Sequence, residues 1–433
     1  WVARRSNTVS GVRPANSAFF ETRFSFFDDR SVAVPRIFVL RGAKLRRIIM
    51  RDMKFLSGIL LLGALLTGCR DARDRTAELG RELRPFTEPP EIYREEYGTY
   101  RSPLLFYNGD SVRTAADWVR RRAEIRTRWD SLLGAWPPVI AGQRFEYADT
   151  LPGEDFDRYR VRFRWLPSET TEGYLLVPHR KGRKPAVITL FYEPETAVGL
   201  GGKPNRDFAL RLAERGFVTL SLGTTQTTRT KTYSLYYPSV DSATLQPLSA
   251  LAYAAANAWE ALAGFPEVDS TRIGVMGHSY GGKWAMFASC LWEKFACAVW
   301  GDPGVVFDET KGGYVNYWEP WYLGYYPPPW EHTWDEQGAV KARGAYPSLR
   351  RDGHDLHELH ALMAPRPFLV SGGCSDGSER WTALNHAVAV NRLLGYEGRV
   401  AMTNRPLHDP DSLSNALAYA FFEFWLHPET VNR

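Results

Sequence analysis

The stretch from Arg272 to Lys283, Arg-Ile-Gly-Val-Met-Gly-His-Ser-Tyr-Gly-Gly-Lys, constrains the fold of this chain more than any other. Its apolar start, its glycine-flanked serine and the Ala- and Met-rich residues that follow predict a strand, a sharp turn and a buried helix. A Gly-x-Ser-x-Gly turn needs both glycines because a Cβ at either position would collide with the strand or the helix. We therefore predict that Ser279 is a nucleophile raised above a sheet and that the backbone N–H of Tyr280 faces an oxyanion. A simple tight turn is the alternative.

A nucleophilic serine needs a base, and the base needs an acid that orients it, so an acid and a histidine are expected after Ser279 in the order Ser, acid, His. A predicted buried strand, residues 367–373, leads directly to Asp376. A second predicted strand, residues 399–403, is followed by a loop that carries His408 and then by an amphipathic helix. Because the loops at the carboxyl ends of such strands converge, Ser279, Asp376 and His408 are predicted to meet.

Two other carboxylates compete for the position of the acid. Asp302 ends a further predicted strand, and Glu379 follows shortly after Asp376. We prefer Asp376 because it follows the penultimate strand directly, whereas Asp302 precedes an insertion whose path the sequence does not give.

Over roughly residues 140 to 430 the chain resembles the α/β-hydrolase superfamily. The run from Asp355 to Pro367, Asp-Leu-His-Glu-Leu-His-Ala-Leu-Met-Ala-Pro-Arg-Pro, and the Gly282-Lys283 pair after the serine resemble bacterial carbohydrate esterases of the glucuronoyl esterase and acetyl xylan esterase types. Glucuronoyl esterases carry Gly-Cys-Ser-Arg-x-Gly-Lys, and here His278 and Tyr280 replace the cysteine and the arginine. The resemblance implies a mostly parallel central sheet with helices on both faces and serine ester hydrolysis without a cofactor.

The same resemblance implies a second oxyanion donor in the loop after a central strand. The predicted strand at residues 186–192 is continuously apolar, as a strand buried on both faces must be. The backbone N–H of Tyr192 or Glu193 is therefore the expected donor.

An aromatic-rich insertion occupies residues 304–353. Trp318, Trp321 and Trp330 are predicted to bind a saccharide, because aromatic faces stack on sugar rings. The alternative is that these aromatics form the core of the insertion. His354, His357 and His360 follow at three-residue spacing, which favours packing over a metal site, and no metal is expected.

The beginning of the chain predicts a leader. Residues 1–52 are basic and are interpreted as an upstream-translated or disordered segment, and residues 53–68 as a lipoprotein signal peptide that ends in Leu-Thr-Gly before Cys69. We predict that Cys69 is lipidated, that residues 69–140 form a tether and an N-terminal helix, and that residues 141–433 form the catalytic domain. The expected location is the bacterial cell envelope, on the periplasmic face or the cell surface.

Charge gives no support for nucleic-acid binding. The formal net charge is +5, but the first 52 residues contribute seven net positive charges and Lys54 one more, which leaves about −3 for the rest. The predicted function is a serine-dependent hydrolase of esterified carbohydrate, with an acetyl or uronoyl ester as substrate. The alternatives are a serine peptidase of the prolyl oligopeptidase type and an inactive lipid-anchored protein that binds sugar. Oligomeric state is not predicted.

Overall fold

The computed structural model describes residues 74–224, 234–310, 317–318, 322–325 and 343–426. Three residues with predicted roles, Cys69, Trp321 and Trp330, lie outside these ranges. None of the helices in the described ranges has the length and apolar character needed to cross a bilayer.

A nine-stranded sheet forms the centre of the fold, with the strand order β1-β2-β3-β5-β4-β6-β7-β10-β11. Pairing is antiparallel from β1 through β3 to β5 and parallel from β5 to β11. A separate two-stranded ladder joins β8 to β9. The strands are β1 Glu146–Leu151, β2 Phe156–Leu166, β3 Glu169–Pro178, β4 Lys184–Leu190, β5 Val218–Leu222, β6 Val268–His278, β7 Cys297–Gly301, β8 Gly324–Tyr325, β9 Arg343–Gly344, β10 Phe368–Gly372 and β11 Val400–Asn404.

Helices cover both faces of the sheet. Successive residues of the central strands alternate between two cores: Ile188 and Val275 belong to one, whereas Val187 and Met276 belong to the other. This burial on both faces explains why these strands are apolar without alternation. The helices are α1 Ala115–Leu133, α2 Pro194–Ala197, α3 Phe208–Glu214, α4 Pro247–Ala263, α5 Tyr280–Leu291, α6 Ala345–Arg351, α7 His357–Ala361, α8 Trp381–Leu393 and α9 Ser412–Trp425; short 3₁₀ turns span Arg84–Phe86, Glu91–Tyr93 and Ser378–Arg380.

Residues 74–83, which precede the predicted catalytic domain, form a helix that packs against it. Residues 74–83 are helical, and Leu79 and Leu83 are buried in the same core as Phe421 and Phe422 of α9. The prediction of a tether is therefore wrong for this part of the chain, since its leucines contribute apolar surface to the domain. The helix predicted next, α1, is confirmed, with Thr114 as its N-cap in a capping box.

Candidate active site

Ser279 lies at the turn between β6 and α5, as the sequence predicts. Its backbone adopts φ 57° and ψ −118°, and its N–H donates to the carbonyl oxygen of Gly301 at 2.7 Å. A Cβ on Gly277 would lie 2.2 Å from the oxygen of Gly281, and a Cβ on Gly281 would lie 1.9 Å from the oxygen of Leu190. Both glycines are thus required by close backbone contacts, and the strained backbone of Ser279 holds its hydroxyl at the carboxyl edge of the sheet.

The serine hydroxyl lies in a chain of hydrogen bonds with a histidine and an aspartate. Ser279 Oγ is 2.8 Å from His408 Nε2, and His408 Nδ1 is 2.6 Å from Asp302 Oδ2. The aspartate side chain is fully buried, whereas the histidine side chain is 34% exposed. This arrangement allows the imidazole to accept the serine proton while a buried carboxylate orients the ring and stabilises its cation.

Asp302, and not Asp376, is therefore the acid that contacts His408, and the preference for Asp376 is wrong in this respect. The Asp302 carboxylate also accepts the backbone N–H groups of Gly373 at 2.7 Å and Asp376 at 2.9 Å. The loop after β10 thus wraps around Asp302 with its backbone. The Asp376 side chain instead accepts the N–H groups of Gly304 and Val305, each at 2.7 Å. The chain after β7 turns at Asp302, which has a positive φ of 46°.

Glu379, the third candidate acid, lies on the 3₁₀ turn after Asp376. Its carboxylate is 3.8 Å from the guanidinium of Arg380. The hydrogen bond to His408 Nδ1 is made by Asp302, so the structure gives Glu379 no place in the triad.

The two buried aspartates have opposite electrostatics. Burial disfavours the charged form of Asp302, but the hydrogen bond and charge of His408 and the backbone N–H groups of the loop hold the pKa of this carboxyl below its ordinary value. Burial, followed by the neighbouring charge of Asp302, raises the pKa of Asp376 despite its two N–H donors. The negative charge of this site is therefore concentrated on Asp302, beside the histidine.

Arg405 is a positioning residue that the sequence reasoning missed. It lies three residues before His408 and donates from Nη2 to the His408 carbonyl oxygen at 2.6 Å and from Nη1 to the Ser371 oxygen in β10 at 2.8 Å. Its Nε donates to the Asp409 oxygen at 2.8 Å. The guanidinium therefore ties the loop of the histidine to the sheet. The sequence signal that could have identified Arg405 is its position three residues before His408 in the same loop.

His278, the residue before the nucleophile, packs against the histidine of the triad. The two ring centroids are 4.7 Å apart, and His278 is buried with neither ring nitrogen hydrogen-bonded within the described part of the chain. Burial, and then the charge of His408, hold the pKa of His278 well below its ordinary value. His278 therefore presents a neutral ring to its neighbour.

The two residues predicted to supply oxyanion donors lie side by side. The rings of Tyr192 and Tyr280 are stacked, with centroids 4.8 Å apart and an interplanar angle of 14°. Tyr280 begins α5 immediately after the nucleophile, and Tyr192 follows the carboxyl end of β4. This contact brings the loop after β4 to the serine turn, and the two backbone N–H groups remain the predicted oxyanion donors.

Tyr317, Trp318, Tyr322 and Tyr346 of the insertion belong to the hydrophobic core. Trp318 is 1% exposed, so its ring has no face open to a sugar, and the prediction that it binds substrate is wrong in this structure. Tyr317 and Tyr322 are also buried, and the ammonium of Lys283 lies 4.0 Å and 4.8 Å from their ring centroids. The same ammonium donates to the carbonyl oxygen of Pro303. The insertion is thus anchored on the helix that follows the nucleophile.

The three histidines before β10 are buried and pack as expected. His354 Nδ1 lies 2.8 Å from a carboxylate oxygen of Glu358, and His357 Nε2 donates to the Arg101 carbonyl oxygen at 2.6 Å. The Trp129 indole of α1 donates to the same Glu358 carboxylate at 2.9 Å. The indole–carboxylate contact joins α1 to α7.

Comparison with known proteins supports this fold. The model of the prolyl oligopeptidase family matches residues 254–373, and a search of curated proteins finds no match. A glucuronoyl esterase from Solibacter usitatus is 18% identical with a TM-score of 0.59, covering 76% of this chain and 98% of that one. A promiscuous esterase from the marine bacterial metagenome is 17% identical with a TM-score of 0.59, covering 76% of this chain and 98% of that one. A glucuronoyl esterase from Teredinibacter turnerae is 17% identical with a TM-score of 0.54, covering 81% of this chain and 99% of that one.

These likenesses confirm the predicted α/β-hydrolase fold, including the resemblance to carbohydrate esterases at the level of architecture. The strand order and the turn at Ser279 agree with this assignment. The chain therefore has the α/β-hydrolase fold and carries the side-chain constellation of a serine hydrolase.

Proposed function

We propose that this protein is a serine-dependent carboxylic ester hydrolase that acts on esterified carbohydrate. The observation that carries the proposal is the continuous set of hydrogen bonds from Ser279 through His408 to Asp302. In the first step His408 accepts the serine proton as Oγ attacks the ester carbonyl. His408 then gives this proton to the leaving alcohol. The same imidazole deprotonates a water molecule that attacks the acyl-enzyme, and it returns that proton to Ser279 Oγ as the acid leaves.

These steps create a positive charge on the imidazole and a negative charge on the substrate oxygen, and different groups stabilise each charge. The Asp302 carboxylate, whose pKa is held below its ordinary value, stays ionised and stabilises the imidazolium. The backbone N–H groups of Tyr280 and Tyr192 stabilise the negative oxygen of the tetrahedral intermediate, and each such donor contributes about 3 to 4 kcal/mol in related chemistry. The neutral ring of His278 adds no competing positive charge.

A carbohydrate ester is the substrate class best supported. Solved structures with the same architecture are described as glucuronoyl esterases. Lys283 corresponds to the lysine of the motif that this sequence shares with glucuronoyl esterases. Its buried ammonium lies against the aromatic rings of the insertion. Trp321 and Trp330, which were predicted together with Trp318 to stack on a sugar, lie outside the described residues, and for these two the role remains a proposal.

A peptidase is the second candidate, because the prolyl oligopeptidase family model matches residues 254–373. This range includes Ser279 and Asp302 but ends before His408. The match therefore covers the turn of the nucleophile, which esterases and peptidases of this fold share, and fold alone does not select the substrate.

A substrate panel tests the proposal. The full chain and its Ser279→Ala variant would be assayed with acetylated xylan, a methyl glucuronate ester, a small aryl acetate and a panel of prolyl peptides. We expect kcat/KM to be highest for a carbohydrate ester and the Ser279→Ala variant to be inactive on all substrates. Efficient peptide cleavage with weak ester hydrolysis would favour the peptidase, and full activity of Ser279→Ala would exclude this serine as the nucleophile.

We also propose that the enzyme is held at the cell envelope by a lipid on Cys69. The support is the Leu-Thr-Gly-Cys sequence at the end of the apolar run of residues 53–68. Expression in a bacterium with a labelled fatty acid should give a labelled membrane-bound protein, and Cys69→Ser should abolish labelling. Absence of label in the unchanged protein would contradict the anchor.

A further inference from the structure

A third side chain with metal-binding chemistry lies beside the acid and the base of the triad. One ligand atom from each of Asp302, Cys374 and His408 lies within 4.8 Å of the other two. Within the ranges that the structure describes, this is the only set of three or more His, Cys, Asp or Glu side chains so closely grouped. The mechanism proposed above uses the carboxylate and the imidazole but leaves the thiol without a role.

The position of Cys374 is fixed by its neighbours on both sides. The backbone N–H groups of Gly373 and Ser375 donate to the Asp302 carboxylate at 2.7 Å and 3.3 Å. A Cβ on Gly373 would lie 2.7 Å from Asp302 Oδ2, so glycine is needed for this close approach. The cysteine between these two donors is therefore held next to the carboxylate by the backbone.

Solvent reaches this thiol, in contrast to two other cysteines. Cys374 is exposed, whereas Cys290 and Cys297 are buried. The side chain of His408 is also partly exposed. Two of the three residues are therefore at least partly exposed to solvent, whereas the side chain of Asp302 is fully buried.

The three donors suit a thiophilic divalent cation. Zinc binds thiolate sulfur at about 2.3 Å and imidazole nitrogen or carboxylate oxygen at about 2.0 to 2.2 Å in tetrahedral geometry, so its ligand atoms lie roughly 3.3 to 3.8 Å apart. His408 Nδ1 and Asp302 Oδ2, which are 2.6 Å apart, must separate by about 0.7 Å, and pairs that are up to 4.8 Å apart must approach by about 1 Å to reach these distances. Rotation of the cysteine side chain and a small displacement of the imidazole supply such shifts. Three protein ligands leave the fourth position for water.

We propose that Asp302, Cys374 and His408 form an inhibitory site for a thiophilic divalent cation. On binding, the Cys374 S–H proton and the His408 Nδ1 proton pass to solvent, and the metal takes the place of the hydrogen bond between Nδ1 and Asp302. The imidazole then loses the contact that orients it and stabilises its cation, and Ser279 loses its base. The inhibitory effect rests on the proposed hydrolase function, whereas cation binding does not.

The test uses the full chain with zinc and with cobalt as probes. Calorimetry should show zinc binding at this site in the wild type and in Ser279→Ala, which separates the site from catalysis. Cobalt should give the near-ultraviolet charge-transfer absorption of a cobalt–thiolate bond. Ester hydrolysis by the wild type should fall with bound zinc and recover when a chelator removes it.

Cys374→Ala is the decisive variant, and Cys290→Ala, which removes a buried thiol, is its matched control. Loss of a direct ligand should weaken zinc binding by at least about 100-fold, since even outer groups contribute 10- to 100-fold. We expect Cys374→Ala to lack the cobalt–thiolate absorption and to hydrolyse the ester at the same rate with and without zinc. Cys290→Ala should keep both the absorption and the inhibition by zinc. Unchanged zinc binding in Cys374→Ala, or cobalt binding without thiolate absorption in the wild type, would overturn the proposal.

Discussion

The carboxyl ends of β7 and β10 carry the same side chain in neighbouring positions, yet only one of the two aspartates contacts the histidine. Asp302 after β7 accepts His408 Nδ1–H together with backbone N–H groups from the loop after β10. Asp376 after β10 accepts the N–H groups of Gly304 and Val305 in the chain just after β7. Each loop therefore uses its backbone to support the carboxylate of the other.

This exchange shows that position along the chain does not select the acid of a triad. Both carboxylates are buried at the same edge of one sheet, and both satisfy a strand-end pattern. The difference lies in the direction of each side chain, which the course of the following loop determines. Asp302 faces the histidine, and Asp376 faces the beginning of the insertion.

The largest effect should come from removing the charge of Asp302. Asp302→Asn replaces the acceptor that orients His408 by an amide, so we expect kcat to fall on the order of 10⁴-fold with KM little changed. Steady-state kinetics with an aryl acetate measures this, and circular dichroism checks that the variant is folded. A folded variant that retains more than about a tenth of wild-type kcat would break the assignment, given the size of the effect expected.

The two aspartates should also differ in how they couple stability to pH. Burial and the charge of Asp302 raise the pKa of Asp376 to about 6. Because the folded protein then binds its proton more tightly than the unfolded chain, this group stabilises the fold at low pH, and the effect is lost as pH rises from about 4 through about 6. The expected loss in the free energy of unfolding is about 3 kcal/mol.

Denaturant unfolding at several pH values compares the wild type with Asp376→Asn, which cannot titrate at this position. Relative to the wild type, the variant should gain stability as pH rises across this window. A constant difference between the two proteins, or a difference of the opposite sign, would contradict the electrostatic distinction between the acids.

A smaller effect is expected when the support of the histidine loop is removed. Arg405→Met keeps the length of the side chain but loses the donors to the His408 and Ser371 oxygens. Displacement of the imidazole by about 1 Å lowers kcat by about 100-fold. Arg120→Met, at an exposed arginine on α1, is the control and should keep wild-type kcat. Equal kcat for the two variants would remove Arg405 from the positioning role.

The smallest effect on catalysis should come from Asp376→Asn. The amide accepts the N–H of only one of Gly304 and Val305, which bind the two carboxylate oxygens in the wild type. Because this side chain faces away from the histidine, we expect kcat to fall by less than about tenfold, a barrier change below about 1.4 kcal/mol. A loss as large as that of Asp302→Asn would show that the side chain acts directly on the histidine.

Much of the site could be predicted because short-range rules determine it. The glycines around Ser279 must sit where the backbone passes closely, and His408 must lie in a loop between a strand and the last helix. Thr114 and the apolar spacing of α1 likewise specify that helix locally. These features depend on a few consecutive residues, so the sequence contains the information that predicts them.

The remaining features depend on contacts between distant segments. The choice between Asp302 and Asp376 requires the path of two loops, and the burial of Trp318 requires knowledge of what covers it. Residues 74–83 have a charged composition typical of a tether, but Leu79 and Leu83 belong to the same hydrophobic core as apolar residues of α9. The sequence of residues 74–83 alone does not indicate which distant segment packs against these leucines.

The most direct test of the account is the rate at which a fluorophosphonate reacts with Ser279, because this reaction needs the nucleophile, its base and the acid but no particular substrate. Peptide mapping by mass spectrometry should find one modified residue, Ser279, in the wild type. The second-order rate constant should be nearly unchanged in Asp376→Asn and reduced on the order of 10⁴-fold in Asp302→Asn. Modification of another residue, or slow labelling of Asp376→Asn with rapid labelling of Asp302→Asn, would contradict a triad of Ser279, His408 and Asp302.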